Sequence, residues 1–340
     1  MRNYGARVQS NLRLGEHPIL VMENEKIRLS FLLGRGCDLY EILYKPTDLD
    51  LSWMRNDNFP DGRPNANYPS PLGSFMDQYL GGWQVIFPSG GEPTDVDGAD
   101  FGQHGESALL PWDVTSIEES PEFVKVNVSV KLLKYPFVIN RELTLNNKDA
   151  RFTLKDTVVN LSPVEIDTMY GLHVTFGPKF LTEQSQILIK GKATATPGED
   201  ERSGQVRRVK DDTPFAWPNA VGPDGKTFDA STMPAYGAPS DIYYLTEMEN
   251  QTYTVTSPTN NLQATLDWKS PDLKYVWYWQ EFGATRGWPW FGMNYNIGLE
   301  PFTSNPTFGL AESIKRGTAL RFKAHESKTF DFAFSLAPMK

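Results

Sequence analysis

The chain has 340 residues, of which 39% are hydrophobic and 22% charged, and its formal net charge is −9. A nucleic-acid partner needs a basic stripe to meet the phosphate backbone; 33 Lys and Arg stand against 42 Asp and Glu with no basic run, so composition argues against that class. No apolar run approaches the ~18 residues of a membrane-spanning helix, and the N-terminal MRNYGARVQSNLRLGEH is polar, without the apolar core of a signal segment. A single cysteine, Cys37, leaves no partner for an intramolecular disulfide and suits a reducing compartment. These totals predict a cytoplasmic protein with no membrane partner, a monomer or homodimer, folded as one domain over residues 1–340, since β-sandwiches often run past ~200 residues as one unit.

Taken in chain order, PILVMENEKIRLSFLL (18–33) reads as two strands around a turn at Asn24-Glu25. Residues 55–105 are rich in Gly, Pro, Asn and Asp and carry little regular pattern; loops of this length in a compact domain are commonly functional. Val124, Val126, Val128 and Val130 alternate with Lys125, Asn127, Ser129 and Lys131, the period of a half-buried strand. Phe137, Ile139, Arg141, Leu143 and Leu145 continue the period, and RFTLKDTVVN (151–160) follows it. A second pattern-poor stretch covers 192–240. Then come LQATLDW (262–268), ALRFKAH (319–325) and TFDFAFSL (329–336), all strand-like. No window of a dozen residues carries a helical apolar stripe. Strands at this spacing predict an all-β fold, a large antiparallel β-sandwich.

Four histidines are present. His17, before Pro18, and His325, beside Glu326 and Lys328, read as surface residues. His104, in DFGQHGESALLPWDV, follows a Gly-rich loop and can present its imidazole to a cleft or bond a backbone carbonyl. His173, in DTMYGLHVTFGPKFL, alternates with Leu172 and Val174 and faces away from them, on a strand that ends at Phe176-Gly177-Pro178. Glu300, in NYNIGLEPFTSNP, is a carboxylate on an apolar strand. Such a group is costly to bury without a partner and is suited to act as a general base in a cleft.

Together these segments resemble the aldose 1-epimerase family over nearly the whole chain, as a divergent branch of the galactose mutarotase-like superfamily. The resemblance rests on His104-Gly105, on Arg141-Glu142-Leu143-Thr144-Leu145, on Val158-Val159-Asn160, on His173-Val174-Thr175-Phe176-Gly177 and on Leu299-Glu300-Pro301, in that order. It implies a galactose mutarotase-like sandwich that interconverts the α and β anomers of a small-molecule aldose, with no metal and no cofactor. It further implies Glu300 as base, His173 as acid and His104 as a hydrogen-bonding partner of the substrate. Asp241 is implied as a ligand of vicinal hydroxyls, Trp279 and Gln280 as a stacking face and an amide contact, and Arg35 as a residue of the pocket edge. A nearby carboxylate is expected to favour the imidazolium form of His173.

Two departures stand out. Sugar mutarotases continue His-Pro-Tyr-Phe-Asn where this chain has His-Val-Thr-Phe-Gly, and they carry an Asn-Arg dipeptide that 78–92 lacks. The sugar-contacting set therefore differs from theirs. Two other readings compete: a carbohydrate-binding protein that has lost the reaction, and a metal-dependent sugar isomerase with His104, Glu106, His173 and Glu300 as ligands.

Overall fold

Alternating side chains set the architecture. In Phe123–Lys131 the four valines are buried while the residues between them are half-buried or exposed, and Phe137–Asn146 and Arg151–Asn160 repeat the pattern. A strand of this kind has one face to bury, and the solution here is sheet on sheet. The computed structural model describes residues 5–55, 72–198, 207–210 and 213–339.

One eight-stranded sheet has the spatial order Ile187–Ile189, Thr252–Ser257, Leu262–Lys269, Ser327–Pro338, Arg151–Asn160, Phe137–Asn146, Phe123–Lys131 and Asp113–Glu119. The other runs Phe215–Ala216, Thr194–Pro197, Asp241–Thr246, Tyr275–Glu281, Asn296–Phe302, Gly171–His173 and Gln84–Ile86, with Thr175–Phe176 also paired to Asn296–Phe302. A five-stranded sheet holds Arg7–Leu14, His17–Glu23, Ile27–Leu32, Asp38–Tyr44 and Leu49–Asp50. The ladders within these sheets are antiparallel. Rings join the two large sheets: Trp83 meets Phe334 edge-on at 5.0 Å, and the Tyr253 hydroxyl donates across the interface to the Leu299 carbonyl at 2.8 Å. Burying each large apolar side chain there contributes about 1.5–3 kcal/mol.

The hairpin predicted at Asn24-Glu25 is present, and its cause is local. The Asn24 Oδ1 accepts from the backbone N–H groups of Lys26 and Ile27, while its Nδ2 donates to the carbonyls of Asn146 and Asp149. The predicted strand 319–325 is shorter, Leu320–Phe322, and 329–336 lengthens to Ser327–Pro338. Two helices were not foreseen: the single turn Gly73–Met76, and Gly309–Arg316, closed by Gly317 in the left-handed conformation. Eight residues burying only Gly309, Leu310 and Ser313 leave no stripe long enough to read. The two pattern-poor stretches also contain short strands, Gln84–Ile86, Thr94–Val96 and Ala99–Phe101 in one and Thr194–Pro197, Asn219–Val221 and Thr227–Asp229 in the other. Residues 56–71, 199–206 and 211–212 of those stretches lie outside the described residues. Among the described residues no helix is long and apolar enough to cross a membrane.

The Arg141 of the predicted Arg-x-Leu-x-Leu strand is structural. It forms a two-pronged pair with Asp156, each bond 2.7 Å, and Asp156 also accepts from the Tyr170 hydroxyl at 2.5 Å. Both charges are buried. Arg141→Ala would strand a buried carboxylate, and denaturant unfolding should show a loss of about 3–5 kcal/mol; a loss below about 1 kcal/mol would show the pair to be dispensable.

Candidate active site

The site grows from one strand register. Asn296–Phe302 is buried at all seven positions. It pairs on one side with Gly171 and Thr175, through Gly171–Phe302 and Thr175–Gly298, and this register sets His173 opposite Glu300. The His173 Nε2 lies 3.6 Å from Glu300 Oε1, with both side chains about 95% or more buried. On the other side of the strand, Tyr275–Glu281 places Trp277 opposite Glu300 and Trp279 opposite Gly298. Glu300 and Gly298 point to the same face, two residues apart. A Cβ at Gly298 would meet Glu300 Oε1 at 2.5 Å and Trp279 Cε3 at 3.2 Å, so the carboxylate lies in the space a side chain would take.

His104 reaches the same cleft from the loop after Ala99–Phe101. It adopts a left-handed conformation with φ 63°, which costs about 1–3 kcal/mol unless its surroundings hold it. Two bonds to Gly91 do so: the His104 N–H donates to the Gly91 carbonyl at 3.0 Å, and the Gly91 N–H donates to His104 Nδ1 at 3.1 Å. With Nδ1 accepting, the proton of the neutral ring sits on Nε2. The following Gly105 needs its small size, since a Cβ there would meet the Phe87 carbonyl oxygen at 2.8 Å. The two imidazoles stand 5.6 Å apart, centre to centre.

The resulting cleft has a volume of about 390 Å³ and is lined by His104, His173, Asp241, Trp279, Gln280 and Glu300, together with Phe75, Tyr79, Arg207 and Trp290 among others. One wall is aromatic. Trp53 packs on Tyr79, Trp279 and Trp290 with ring centres 5.5–5.6 Å apart. The Tyr79 hydroxyl lies 3.4 Å from His173 Nδ1.

Burial governs the charges. It pushes the Glu300 carboxyl well above the usual carboxylate range, lowers His173 to about 3, and holds His104 well below the ordinary histidine value. The expected preference of His173 for its imidazolium form is thus reversed: a low-dielectric pocket favours the uncharged partners, a carboxylic acid beside a neutral imidazole. Either way the pair holds one proton.

Other predicted residues fall differently. Asp241 lines the cleft, yet its carboxylate is already engaged: Arg207 bonds it through Nη2 at 2.6 Å and Nε at 3.1 Å, and the backbone N–H groups of Arg208 and Val209 bond its Oδ2. It anchors 207–209 at the cleft wall rather than offering a free carboxylate to hydroxyls. Gln280 accepts from Arg208 and its Nε2 has no hydrogen-bond partner among the described residues. Arg35 is not at the pocket edge. It is buried, paired with Asp38 at 2.6 Å, with its guanidinium over the Phe75 ring. Its loop position between two glycines carried no information about the Phe75 ring that covers it. Glu106 is turned away, accepting from the backbone N–H groups of Leu133, Lys134 and Tyr135, so the four-residue metal set does not assemble. Among the described residues no group of three or more His, Cys, Asp or Glu side chains is arranged for a metal ion. His17 and His325 lie outside the lining.

Tyr79, Phe75, Trp53, Trp290 and Arg207 were not foreseen. Phe75 lies in the short helix Gly73–Met76 and Tyr79 three residues past its end, a spacing hidden inside a stretch that otherwise reads as loop.

The fold is galactose mutarotase-like. A candidate aldose 1-epimerase from Klebsiella pneumoniae superposes with a TM-score of 0.73 at 16% identity, covering 97% of this chain and 83% of that one. A galactose mutarotase-like protein from Clostridium acetobutylicum gives 0.65 at 13%, covering 98% and 99%, and one from Lactobacillus casei gives 0.56 at 18%, covering 94% and 100%. No curated protein matches the chain in sequence. The chain belongs to the family described as a domain of unknown function, DUF4432, whose model matches residues 15–336.

The Gly298 packing makes a direct prediction. In Gly298→Ala the Glu300 carboxylate must retreat until it clears the new methyl by at least about 3.0 Å, and a crystal structure of the variant should show it displaced from His173. An unmoved carboxylate would mean that Gly298 does not set its position.

Proposed function

We propose that this protein is an aldose 1-epimerase, acting on a small-molecule sugar in the cytosol. The observation that supports this most directly is Glu300 facing His173 at 3.6 Å in a buried cleft, with His104 beside them. Anomer exchange needs one group to accept the proton of the anomeric hydroxyl and another to protonate the ring oxygen, in the same turnover. Once the pair's one proton has moved from Glu300 to His173, the anomeric O–H proton leaves to the Glu300 carboxylate, the C1–O5 bond breaks, a C1 carbonyl forms and the ring oxygen takes the proton of the His173 imidazolium. The carbonyl carbon rotates about C1–C2, and the steps run in reverse on its other face. The pair ends with the proton count it began with, so nothing must exchange with solvent.

The surroundings fit a sugar. A neutral His104 with its proton on Nε2 is a hydrogen-bond donor for a substrate oxygen. Trp279 and Trp290 form an apolar wall for the hydrogen-rich face of a pyranose. Arg207, held by Asp241, takes the sugar-contacting place that the family resemblance implies for Asp241. The single, buried Cys37 suits a reducing compartment.

Glu300→Gln removes the proton acceptor and keeps the shape. Polarimetry of freshly dissolved, anomerically pure aldoses should show the catalysed rate fall roughly 10²–10⁴-fold, with sugar binding changed much less. His173→Asn should lose a similar factor, while His17→Asn and His325→Asn should be nearly silent. A wild-type rate for Glu300→Gln on every responsive sugar would make Glu300 a structural residue.

The pH profile follows from burial. The active pair carries one proton. It gains a second only as pH falls through the lowered His173 value, and loses its last only as pH rises through the raised Glu300 value. The kcat/KM of wild type should therefore stay flat from about pH 5 to pH 7, where an ordinary histidine would titrate. A fall through that window would contradict the uncharged pair.

A further inference from the structure

The cleft continues past the Glu300–His173 pair, and its outer end is built differently. Along Tyr275–Glu281, Trp277, Trp279 and Glu281 share one face. Trp277 stands opposite Glu300, and Glu281 opposite Asn296. Four residues of strand separate the two positions, about 13 Å at ~3.3 Å per residue, with Trp279 between them. Ser240, Glu281 and Thr285 all line the cleft there. The Ser240 hydroxyl donates to Glu281 Oε2 at 2.7 Å, and the Thr285 hydroxyl donates to the same oxygen at 2.6 Å. The two hydroxyl oxygens lie 2.9 Å apart. A hydroxyl carries one proton, and both protons are used inside this trio. Ser240 and Thr285 are half-buried, so what they offer a ligand is lone pairs. The outer end accepts hydrogen bonds, whereas His104 at the inner end donates one.

The strand then enters residues 283–295, its connection to Asn296–Phe302, and this segment carries an aromatic rim. Among the described residues three aromatic side chains are exposed: Tyr236, Trp288 and Phe291. Two belong to the segment, and the third is tied to it by the Tyr236 hydroxyl, which donates to the Gly292 carbonyl. Trp288, 52% exposed, lines the cleft, and the other two do not. The backbone that presents it is braced. The Gly292 N–H donates to the Thr285 carbonyl at 2.7 Å and the Phe291 N–H to the Gly287 carbonyl at 2.8 Å. Trp290, two residues on, is buried with its ring 5.5 Å from those of Trp53 and Trp279. A large apolar ring is thus held at the mouth before any ligand arrives, which lowers the ordering cost of binding.

We propose that Trp288, Ser240 and Thr285 form a second sugar subsite, and that the substrate is a reducing disaccharide. Its free anomeric end meets Glu300 and His173, and its second unit stacks on Trp288. The role of the inner end rests on the epimerase reading above. With C1 and O5 at the pair, a second unit must leave from the far side of the ring. O4 lies across the ring from C1, so a unit joined there extends past Trp279 toward the trio. The C–H face of that unit covers the Trp288 ring, and its hydroxyls donate to the Ser240 and Thr285 oxygens. Burial sets the orientation: the Glu300 and His173 side chains are about 95% or more buried, while Trp288 stands half in solvent. The sugar therefore enters reducing end first.

The test compares glucose, mannose and xylose with 4-linked disaccharides that end in them: maltose, cellobiose and lactose for the first, mannobiose and xylobiose for the others. Anomer exchange is measured by NMR. With wild type, kcat/KM for at least one disaccharide should exceed that for its own reducing sugar by roughly tenfold, the size of one or two added hydrogen bonds. Trp288→Ala and Thr285→Val should each lower this disaccharide-to-monosaccharide ratio roughly threefold to tenfold. Phe291→Ala, on the same segment but outside the cleft lining, should leave the ratio unchanged. Equal values for every disaccharide and its reducing sugar overturn the subsite and leave the epimerase reading standing, as do variants that slow both sugars alike. Loss of a dimer in Trp288→Ala, seen by sedimentation with the ratio unchanged, also overturns it and makes the rim a contact between copies. Calorimetric titration of Glu300→Gln with the same sugars separates the two claims. Tighter binding of a disaccharide that Trp288→Ala removes, in a protein whose wild type exchanges no anomers, sustains the subsite and overturns the epimerase reading. Neither exchange nor binding with any of these sugars overturns both.

Discussion

The register of two short strands against Asn296–Phe302 is the constraint on which the rest of the cleft depends. Pairing Gly171 with Phe302 and Thr175 with Gly298 brings His173 across from Glu300. A slip of one residue would turn every side chain of 171–176 to the opposite face, sending His173 into the packing between the sheets and Leu172 into the cleft. The register is secured on several sides. The Tyr170 N–H donates to the Thr303 hydroxyl, the Leu299 N–H to the Val174 carbonyl, and the Trp83 indole to the Thr175 carbonyl. The second large sheet backs the strand through the Tyr253 hydroxyl on Leu299. The sandwich is thus the device that makes a 3.6 Å contact between two residues 127 positions apart reproducible.

Burial then supplies the chemistry. A carboxyl and an imidazole side by side in water would titrate near their ordinary values and exchange protons with solvent. Here Trp53, Trp279, Trp290 and Tyr79 enclose them, and the low dielectric disfavours each charge taken alone. A single proton moving between neighbours changes no net charge, so the movement that burial permits is the one an acid–base pair needs. The polar groups around the pair are fixed in the same spirit. His104 is held by its two bonds to Gly91, and Arg207 by Asp241, before any ligand arrives, which spares the ordering cost at the moment of binding.

The class of fold was open to reading because period-two burial is written into Phe123–Lys131, Phe137–Asn146 and Arg151–Asn160. The three titratable residues of the cleft were open to reading for a different reason. A Glu on an apolar strand and a His facing away from its apolar neighbours conflict with their surroundings, and such conflicts are concentrated at functional sites. What escaped was decided by tertiary contacts. Asp241 and Arg35 have the right residue type in the right neighbourhood, but Arg207 occupies the first and Phe75 covers the second. Tyr79 lies in a Gly- and Pro-rich segment with no period, so its approach to His173 is set by the fold alone. The preferred charge state of His173 was misjudged because a neighbouring carboxylate was weighed and the desolvation of both groups was not.

The most direct test of the central claim, that the Glu300–His173 pair interconverts anomers, is exchange at equilibrium. With a [1-¹³C] aldose already at its anomeric balance in D₂O, magnetisation-transfer NMR reads the rate at which one C1 signal becomes the other. The account predicts exchange at a rate proportional to wild-type protein, restored to the buffer rate by Glu300→Gln, with no deuterium entering C2. Exchange no faster than in buffer for every aldose, or deuterium appearing at C2 as an aldose–ketose isomerase would place it, would contradict it.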